Sequence, residues 1–316
     1  MEQSQYHWKR RSVQIGTILL IALIPATGLF RIDLTTASFT IVDRTLWWWN
    51  FLFVFGLGLM IATIPIITYM TIGTIWCGWA CPQNTISEWA NNLTHALLGK
   101  RANVDIDGEG LKVAATKNKA LNWILLGLSF VAASLLLGII PFLFFFSPGE
   151  VWSFITFGST ARISGFMRPL YLFMVLLIFI DLAVVRYFWC DYICLYRIGQ
   201  RIFISKEALH VKYDTARSGD CAKCNYCAAS CITGIDPTNI KLEDSCINCG
   251  ECIDACNRLH EKKGIHGLLQ FRFSEDSRTN TLRGYLGRMA AKFNWWVGAI
   301  FLLGCVMFIW GILKAN

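Results

Sequence analysis

Eight cysteines between Cys221 and Cys256 constrain this chain more than any other feature. They read CAKCNYCAASC and, after fourteen residues, CINCGECIDAC. Each run is C-x-x-C-x-x-C-x-x-x-C, a spacing that lets three thiolates of one loop grip three irons of a cubane while the fourth cysteine crosses to a second cluster. Cys221, Cys224, Cys227 and Cys256 are therefore expected to hold one [4Fe–4S] cluster, and Cys246, Cys249, Cys252 and Cys231 the other. Structural zinc sites also use C-x-x-C pairs, but each needs four ligands and has no use for a triplet plus one. The proline that commonly follows the fourth cysteine of such runs is replaced by Ile232 and Asn257. Iron ligation does not need that proline, so the ligand sets stand.

The surrounding chain is too apolar for a soluble protein. Of 316 residues 55% are hydrophobic, and they lie in blocks long enough to span a bilayer. Five transmembrane helices are expected, over Val13 to Phe30, Leu46 to Ile75, Leu121 to Phe146, Pro169 to Trp189 and Phe293 to Ile312. The first lacks a small-residue cleavage pattern and is not read as a cleaved signal peptide. The chain thus divides into a membrane domain over 1–200 with four spans, a bacterial-type 2[4Fe–4S] ferredoxin domain of α+β character over 201–290, and a fifth span over 291–316.

Lysine and arginine set the orientation. Of the 29, all but Arg31, Arg44, Arg162, Arg168 and Lys314 fall on one side of this arrangement, and by the positive-inside rule that side is cytoplasmic. The amino terminus and the ferredoxin domain are expected in the cytoplasm of a bacterium, below its inner membrane, and the carboxyl terminus in the periplasm. The net charge of +8 then answers to the lipid bilayer and calls for no nucleic acid. A reducing cytoplasm also makes clustered cysteines metal ligands more often than disulfides. The arm from Met1 to Ser12, with His7, Trp8 and the basic trio Lys9, Arg10 and Arg11, reads as an anchor on anionic headgroups without chemistry of its own.

Two further cysteine pairs sit where spans reach the cytoplasmic face. Span two ends in IWCGWACPQ and span four in FWCDYICLYR, so Cys77 with Cys81 and Cys190 with Cys194 repeat one C-x-x-x-C spacing at one depth. On a helix each pair shares a face. Pro82 is expected to turn the chain just after Cys81. Two helical hairpins ending alike read as an internal repeat about an axis normal to the membrane. If that axis holds, the four thiolates converge on a soft site able to take a third iron–sulfur cluster, Cu(I) or zinc.

Asp181 lies inside span four, a depth at which an ionisable group is a functional candidate, either in proton or quinol handling or in an ion pair with Arg186. Trp47, Trp48 and Trp49 read as an interfacial belt, and Cys305 and the scattered methionines as packing. All five histidines lie outside the spans, so this chain alone cannot build a bis-histidine haem in the bilayer. The stretch DIDGEG lacks the ligand order of a calcium loop and reads as a solvated loop.

These motifs resemble the accessory-protein family of cbb3-type cytochrome c oxidase, the FixG and RdxA group, also called CcoG, polytopic membrane ferredoxins. The resemblance rests on IWCGWACPQ, on WCDYICLYR leading through LHVKYD, on CITGIDPTN and CINCGECIDACNRLHEKKGIHGLLQF, and on RTNTLRGYLGR. It implies electron transfer from a cytoplasmic donor and a cupric reductase role supplying Cu(I) for oxidase assembly. Cys77, Cys81, Cys190 and Cys194 would be the copper or cluster ligands, and oxidase subunits or copper-transport proteins the partners. Leu195 stands where the family has proline after the second pair. Family members usually continue into an outside immunoglobulin-like domain, whereas this chain stops at Asn316. The quinol-linked ferredoxin subunits of periplasmic nitrate reductase systems share the same broad plan.

Overall fold

The structure is a computed structural model and describes residues 6–34, 36–41, 44–99, 113–156, 158, 167–186, 188–202, 208–241, 244–261, 264–273 and 294–314. The DIDGEG loop and the RTNTLRGYLGR stretch fall outside these residues, as does the 290/291 boundary. Among them, four helices are long and apolar enough to cross a membrane: α2 (Phe51–Ile72), α5 (Ala120–Leu143), the helix running Arg168–Val185, and a final helix, Trp295–Leu313. The first expected span is also helical, as α1 (Tyr6–Ala26), but its opening turns carry His7, Lys9, Arg10 and Arg11. The apolar side chains of the four long helices stay largely exposed, among them Leu128, Leu136, Leu172 and Leu302, as lipid-facing residues do when lipid and side chain are equally apolar.

In such helices every backbone and hydroxyl group needs an internal partner. Along α2 the hydroxyls of Thr63, Thr68 and Thr71 return to the carbonyls of Leu59, Ile64 and Ile67 at 2.7, 2.7 and 2.9 Å. Pro65 lies inside the same helix.

The chain separates into two compact units, each assembled from distant segments. One comprises Thr17–Leu57, Pro82–Cys190 and Cys305–Asn316. It opens with a small antiparallel sheet, β1 (Phe30–Asp33), β2 (Ser38–Ile41) and β3 (Arg44–Trp47), paired through Arg31 with Thr40 and Phe39 with Leu46. This sheet occupies the segment expected to be a plain connection and the start of span two, so α2 begins at Phe51 rather than Leu46.

The unit continues through α4 (Pro82–Leu98), α5, α6 (Pro148–Ile155) and α7 (Arg168–Ile180). Its core is Ala90, Leu98, Leu126, Phe130 and Leu182. Gly138 lets α5 and α7 approach closely, because a Cβ there would lie 3.0 Å from Val175 Cγ2. A capping box starts α6: Glu150 N donates to Ser147 Oγ at 3.3 Å and Ser147 N to Glu150 Oε2 at 2.9 Å, with Pro148 at the first helical position.

The other unit comprises Met1–Gly16, Gly58–Cys81 and Asp191–Gly304. It holds the short helix α3 (Ile75–Trp79), α8 (Leu195–Ile202) and the two-stranded sheet of β4 (Leu209–Tyr213) with β5 (Leu269–Phe273). Between the strands in sequence come α9 (Tyr226–Ala229) and α10 (Glu251–Glu261), and the last long helix is α11 (Trp295–Leu313). Val211, Cys252, Ile253 and Leu269 form its core, with Tyr6, Phe271, Cys227 and Cys256 packed around them.

Candidate iron–sulfur and redox sites

Both cysteine runs fold alike. In each, the residues on either side of the middle cysteine take positive φ: Lys223 and Asn225 around Cys224, at 47° and 58°, and Asn248 and Gly250 around Cys249, at 50° and 85°. Three of these four are not glycine, and such strained backbone persists only where its surroundings dictate it. Here the left-handed steps turn the backbone in the same way on both sides of each middle cysteine. A short helix follows in both cases, α9 after Asn225 and α10 after Gly250.

The thiols fall into two groups. Burial raises Cys227, whose thiol neighbours are Cys256 and Cys224, while the Tyr213 hydroxyl bonds Cys221 and faces Cys256 and Cys227. Burial likewise pushes Cys246 up to about 11, with Cys231 beside it, and Cys249 up to about 12, with Cys246 and Cys231 beside it. Cys252 is raised in the same way, first by burial and then by Cys249, Cys246 and Cys231. One set is thus Cys221, Cys224, Cys227 and Cys256, and the other Cys231, Cys246, Cys249 and Cys252. Such neutral thiols release protons when they ligate metal.

Each set offers four sulfurs, a donor set that fits a cubane. When bound, the clusters supply one-electron carriers. Backbone and polar groups already address the sulfurs: Leu268 N donates to Cys256 Sγ at 3.3 Å, and Thr233 Oγ1 lies 3.5 Å from Cys231 Sγ. The two sets differ in exposure. The loop 222–226, with Cys224, is exposed, whereas Asn248, Cys249, Gly250 and Cys252 are buried. Among the described residues, no three His, Cys, Asp or Glu side chains meet at a position for a single metal ion.

What covers the second set lies far away in sequence. The α3 turn carrying Cys77 packs on it, with Trp79 Nε1 donating to the carbonyl of Asn248 at 2.9 Å. Gly78 sits so close that an added Cβ would collide with the Ile247 carbonyl and lie 3.1 Å from Cys249 N and Cα. Cys81 follows α3 directly, and α4 starts at Pro82. The second pair is built similarly: Cys190 lies in a π-helical turn, Trp189–Ile193, and Cys194 directly precedes α8. Cys77, Cys81 and Cys194 belong to one compact unit and Cys190 to the other.

The amino-terminal arm also belongs here, with a packing role for Arg10 that its reading as a headgroup anchor leaves out. Arg10 is fully buried, its Nη2 2.7 Å from Glu251 Oε1. His7 Nδ1 reaches the same oxygen at 2.8 Å, and His7 N donates to Asp254 Oδ2 at 2.9 Å. The basic trio was legible only as positive charge. The acceptors of His7 and Arg10 lie more than 240 residues away, and nothing local in the sequence announces them.

In the unit that includes Pro82–Cys190, Asp181 opens a second π-helical turn, Asp181–Val185, and accepts from Gln83 Nε2 at 2.7 Å. Arg186, suggested as its partner, is buried and directed to Leu182 O at 2.6 Å, Thr94 Oγ1 at 3.1 Å and Asn91 Oδ1, with its guanidinium 5.4 Å above the Phe130 ring. Asp181 and Gln83 stand at the edge of a cavity of about 500 Å³ whose other walls are apolar, among them Ile18, Ile86, Leu137, Phe144 and Leu177. Gln83 carried no signal in the sequence.

Comparison with known proteins agrees with this architecture. A 4Fe-4S binding domain model matches residues 54–101 and 167–195, and a 4Fe-4S dicluster domain model matches 216–274. The nitrogen fixation protein FixG of Rhizobium meliloti is 25% identical over 82% of this chain and 52% of its own length. Protein RdxA of Cereibacter sphaeroides is 27% identical over 75% of this chain and 52% of its own. The ferredoxin-type protein NapH of Haemophilus influenzae is 24% identical over 64% and 66%. The chain therefore spans about half the length of FixG and RdxA. No solved structure matches it. Among the described residues, four helices long and apolar enough to cross a membrane thus accompany two matched 4Fe-4S models, in a chain that is similar to FixG, RdxA and NapH.

Proposed function

We propose that this protein takes electrons from a cytoplasmic donor and delivers them to the C-x-x-x-C cysteines, where Cu(II) gains one electron and leaves as Cu(I). The observation that carries the reading is the seating of Gly78 and Trp79 on the loop of Cys246 and Cys249. This places the Cys77 turn against one thiol set. Thiolates favour Cu(I) over Cu(II), so the reduced ion is the stabilised product. The 4Fe-4S binding model runs over both C-x-x-x-C segments, which supports a cofactor or metal role for Cys77, Cys81, Cys190 and Cys194 together, a third cluster included.

In this reading α1 is the fifth span. The amino terminus and the thiol sets are cytoplasmic under a bacterial inner membrane, and the carboxyl terminus is periplasmic, in keeping with the distribution of Lys and Arg. Cytochrome oxidase subunits or copper-transport proteins would receive the copper.

A second reading has its own observation. The apolar cavity edged by Asp181 and Gln83 has the form of a site for a quinol, whose two hydroxyls would release one proton to Asp181 and one to water while its two electrons pass one at a time to the relay. Anaerobic titration of the purified protein decides between them. Oxidation of the dithionite-reduced clusters by Cu(II) supports the first reading, reduction of the oxidised clusters by a quinol the second, and reactivity with neither removes both.

A further inference from the structure

The amino-terminal helix does more than cover the second thiol set. Arg10 has no solvent contact, and a guanidinium stays charged in proteins. Its Nη2 bonds Glu251 Oε1 at 2.7 Å, and Glu251 stands between Cys249 and Cys252 in the run C-G-E-C. The strap is tightly fitted. A Cβ on Gly250 would lie 3.0 Å from Tyr6 Cβ, and the Tyr6 ring meets Phe271 edge-on with centroids 5.1 Å apart. His7 holds Glu251 and the backbone approach to Asp254 from the same helix. The Arg10 charge also acts on the Cys249 thiol. A cationic and an anionic group are thus fixed, out of water, beside one thiol set.

We propose that Arg10 and Glu251 set the reduction potential of the cluster held by Cys231, Cys246, Cys249 and Cys252, Arg10 raising it and Glu251 lowering it. Reduction adds one negative charge to a cluster. A buried cation nearby favours the reduced form and a buried anion opposes it, more strongly than at a surface because little water screens them. Arg10 is accordingly a positioning and tuning residue, touching no reacting atom. The inference rests on the dicluster reading.

The test is an anaerobic redox titration followed by electron paramagnetic resonance on the full-length protein in detergent, with iron analysis first. About eight irons and two cluster signals establish the dicluster reading on its own. Their absence refutes that reading rather than the tuning. A Cys224→Ala background assigns the signals. Arg10→Gln is expected to weaken reduction of the Cys249 cluster about tenfold, which is about 59 mV for one electron. Glu251→Gln should strengthen it, the double variant should return close to the wild type, and Arg10→Lys should stay there. The other cluster should not move. If Arg10→Gln fails to assemble the cluster, Glu251→Gln and the double variant decide. Shifts of the same sign from both single changes, equal shifts in both clusters, or no shift with Glu251→Gln would overturn the proposal.

Discussion

Trp79 donates its indole N–H to the backbone carbonyl of Asn248 at 2.9 Å, which ties the turn bearing Cys77 to the loop bearing Cys246 and Cys249. Asn248 in turn gives its Nδ2 to the Leu209 carbonyl at 2.6 Å, so the turn, the loop and β4 form one connected seat. Gly78 is required at the contact because any side chain meets the Ile247 carbonyl. Gly78→Ala should cost about 1–3 kcal/mol, the usual toll of overpacking. Trp79→Phe keeps the ring and loses the bond, for about 1 kcal/mol. Both should loosen the Cys246–Cys252 site in preference to the other, seen as selective loss of one cluster signal during thermal or chelator challenge. Equal loss of both signals would argue against a private seat.

The division of the thiols predicts what single cysteine changes do. Cys224→Ala should remove one [4Fe–4S] signal and leave most of the other, and Cys249→Ala the converse, read by iron content and electron paramagnetic resonance. Because Cys224 is exposed and Cys249 buried, iron chelators should strip the Cys224 cluster first. A purified protein with about one zinc per motif and no iron would sink the assignment.

How much of this was open to sequence reading depends on the range of the signal. Short spacings carry their own geometry, so the two C-x-x-C-x-x-C runs, the C-x-x-x-C pairs and the long apolar helices stand out along the chain. Pairings across hundreds of residues leave no local trace. Arg10 looked like one more surface cation, and its burial against Glu251 appears only once α1 and α10 are side by side. The β1–β3 sheet was hidden for another reason: its four-residue strands are too short for alternation to outweigh neighbouring apolar spans. Gln83 is an ordinary polar residue until α4 brings it to Asp181.

If Cys77, Cys81, Cys190 and Cys194 share one centre, Cys77→Ser and Cys190→Ser should abolish the same bound metal and the same Cu(II) reduction, although the two residues are more than a hundred positions apart. Loss of all four should leave the two ferredoxin-type signals intact. Cupric reduction that survives without the four cysteines would remove them from the reaction, and a centre lost with Cys77→Ser but retained with Cys190→Ser would show the pairs to act separately.

Asp181 and Arg186 separate by the same experiment applied twice. Arg186 is buried and binds Asn91, Thr94 and the Leu182 carbonyl, and it holds a positive φ of 37° at the end of the π-helical turn. Replacing it strands several polar groups in an apolar surround, so Arg186→Met should cost about 3 kcal/mol or more and lower thermal stability whatever the acceptor. Asp181 has one strong neutral donor, Gln83, lines the cavity, and feels the charge of Arg186. Asp181→Asn keeps the shape and most of the hydrogen bonding, and should leave stability within about 1 kcal/mol. Were the cavity to serve a quinol, the same change would remove the proton acceptor and slow quinol-dependent cluster reduction by about a hundredfold, in the range of a lost general base, while leaving reduction by dithionite untouched. Thermal melts and stopped-flow reduction on both variants separate the roles. An Asp181→Asn protein that melts as early as Arg186→Met and reacts with quinol at the normal rate would make Asp181 a structural residue.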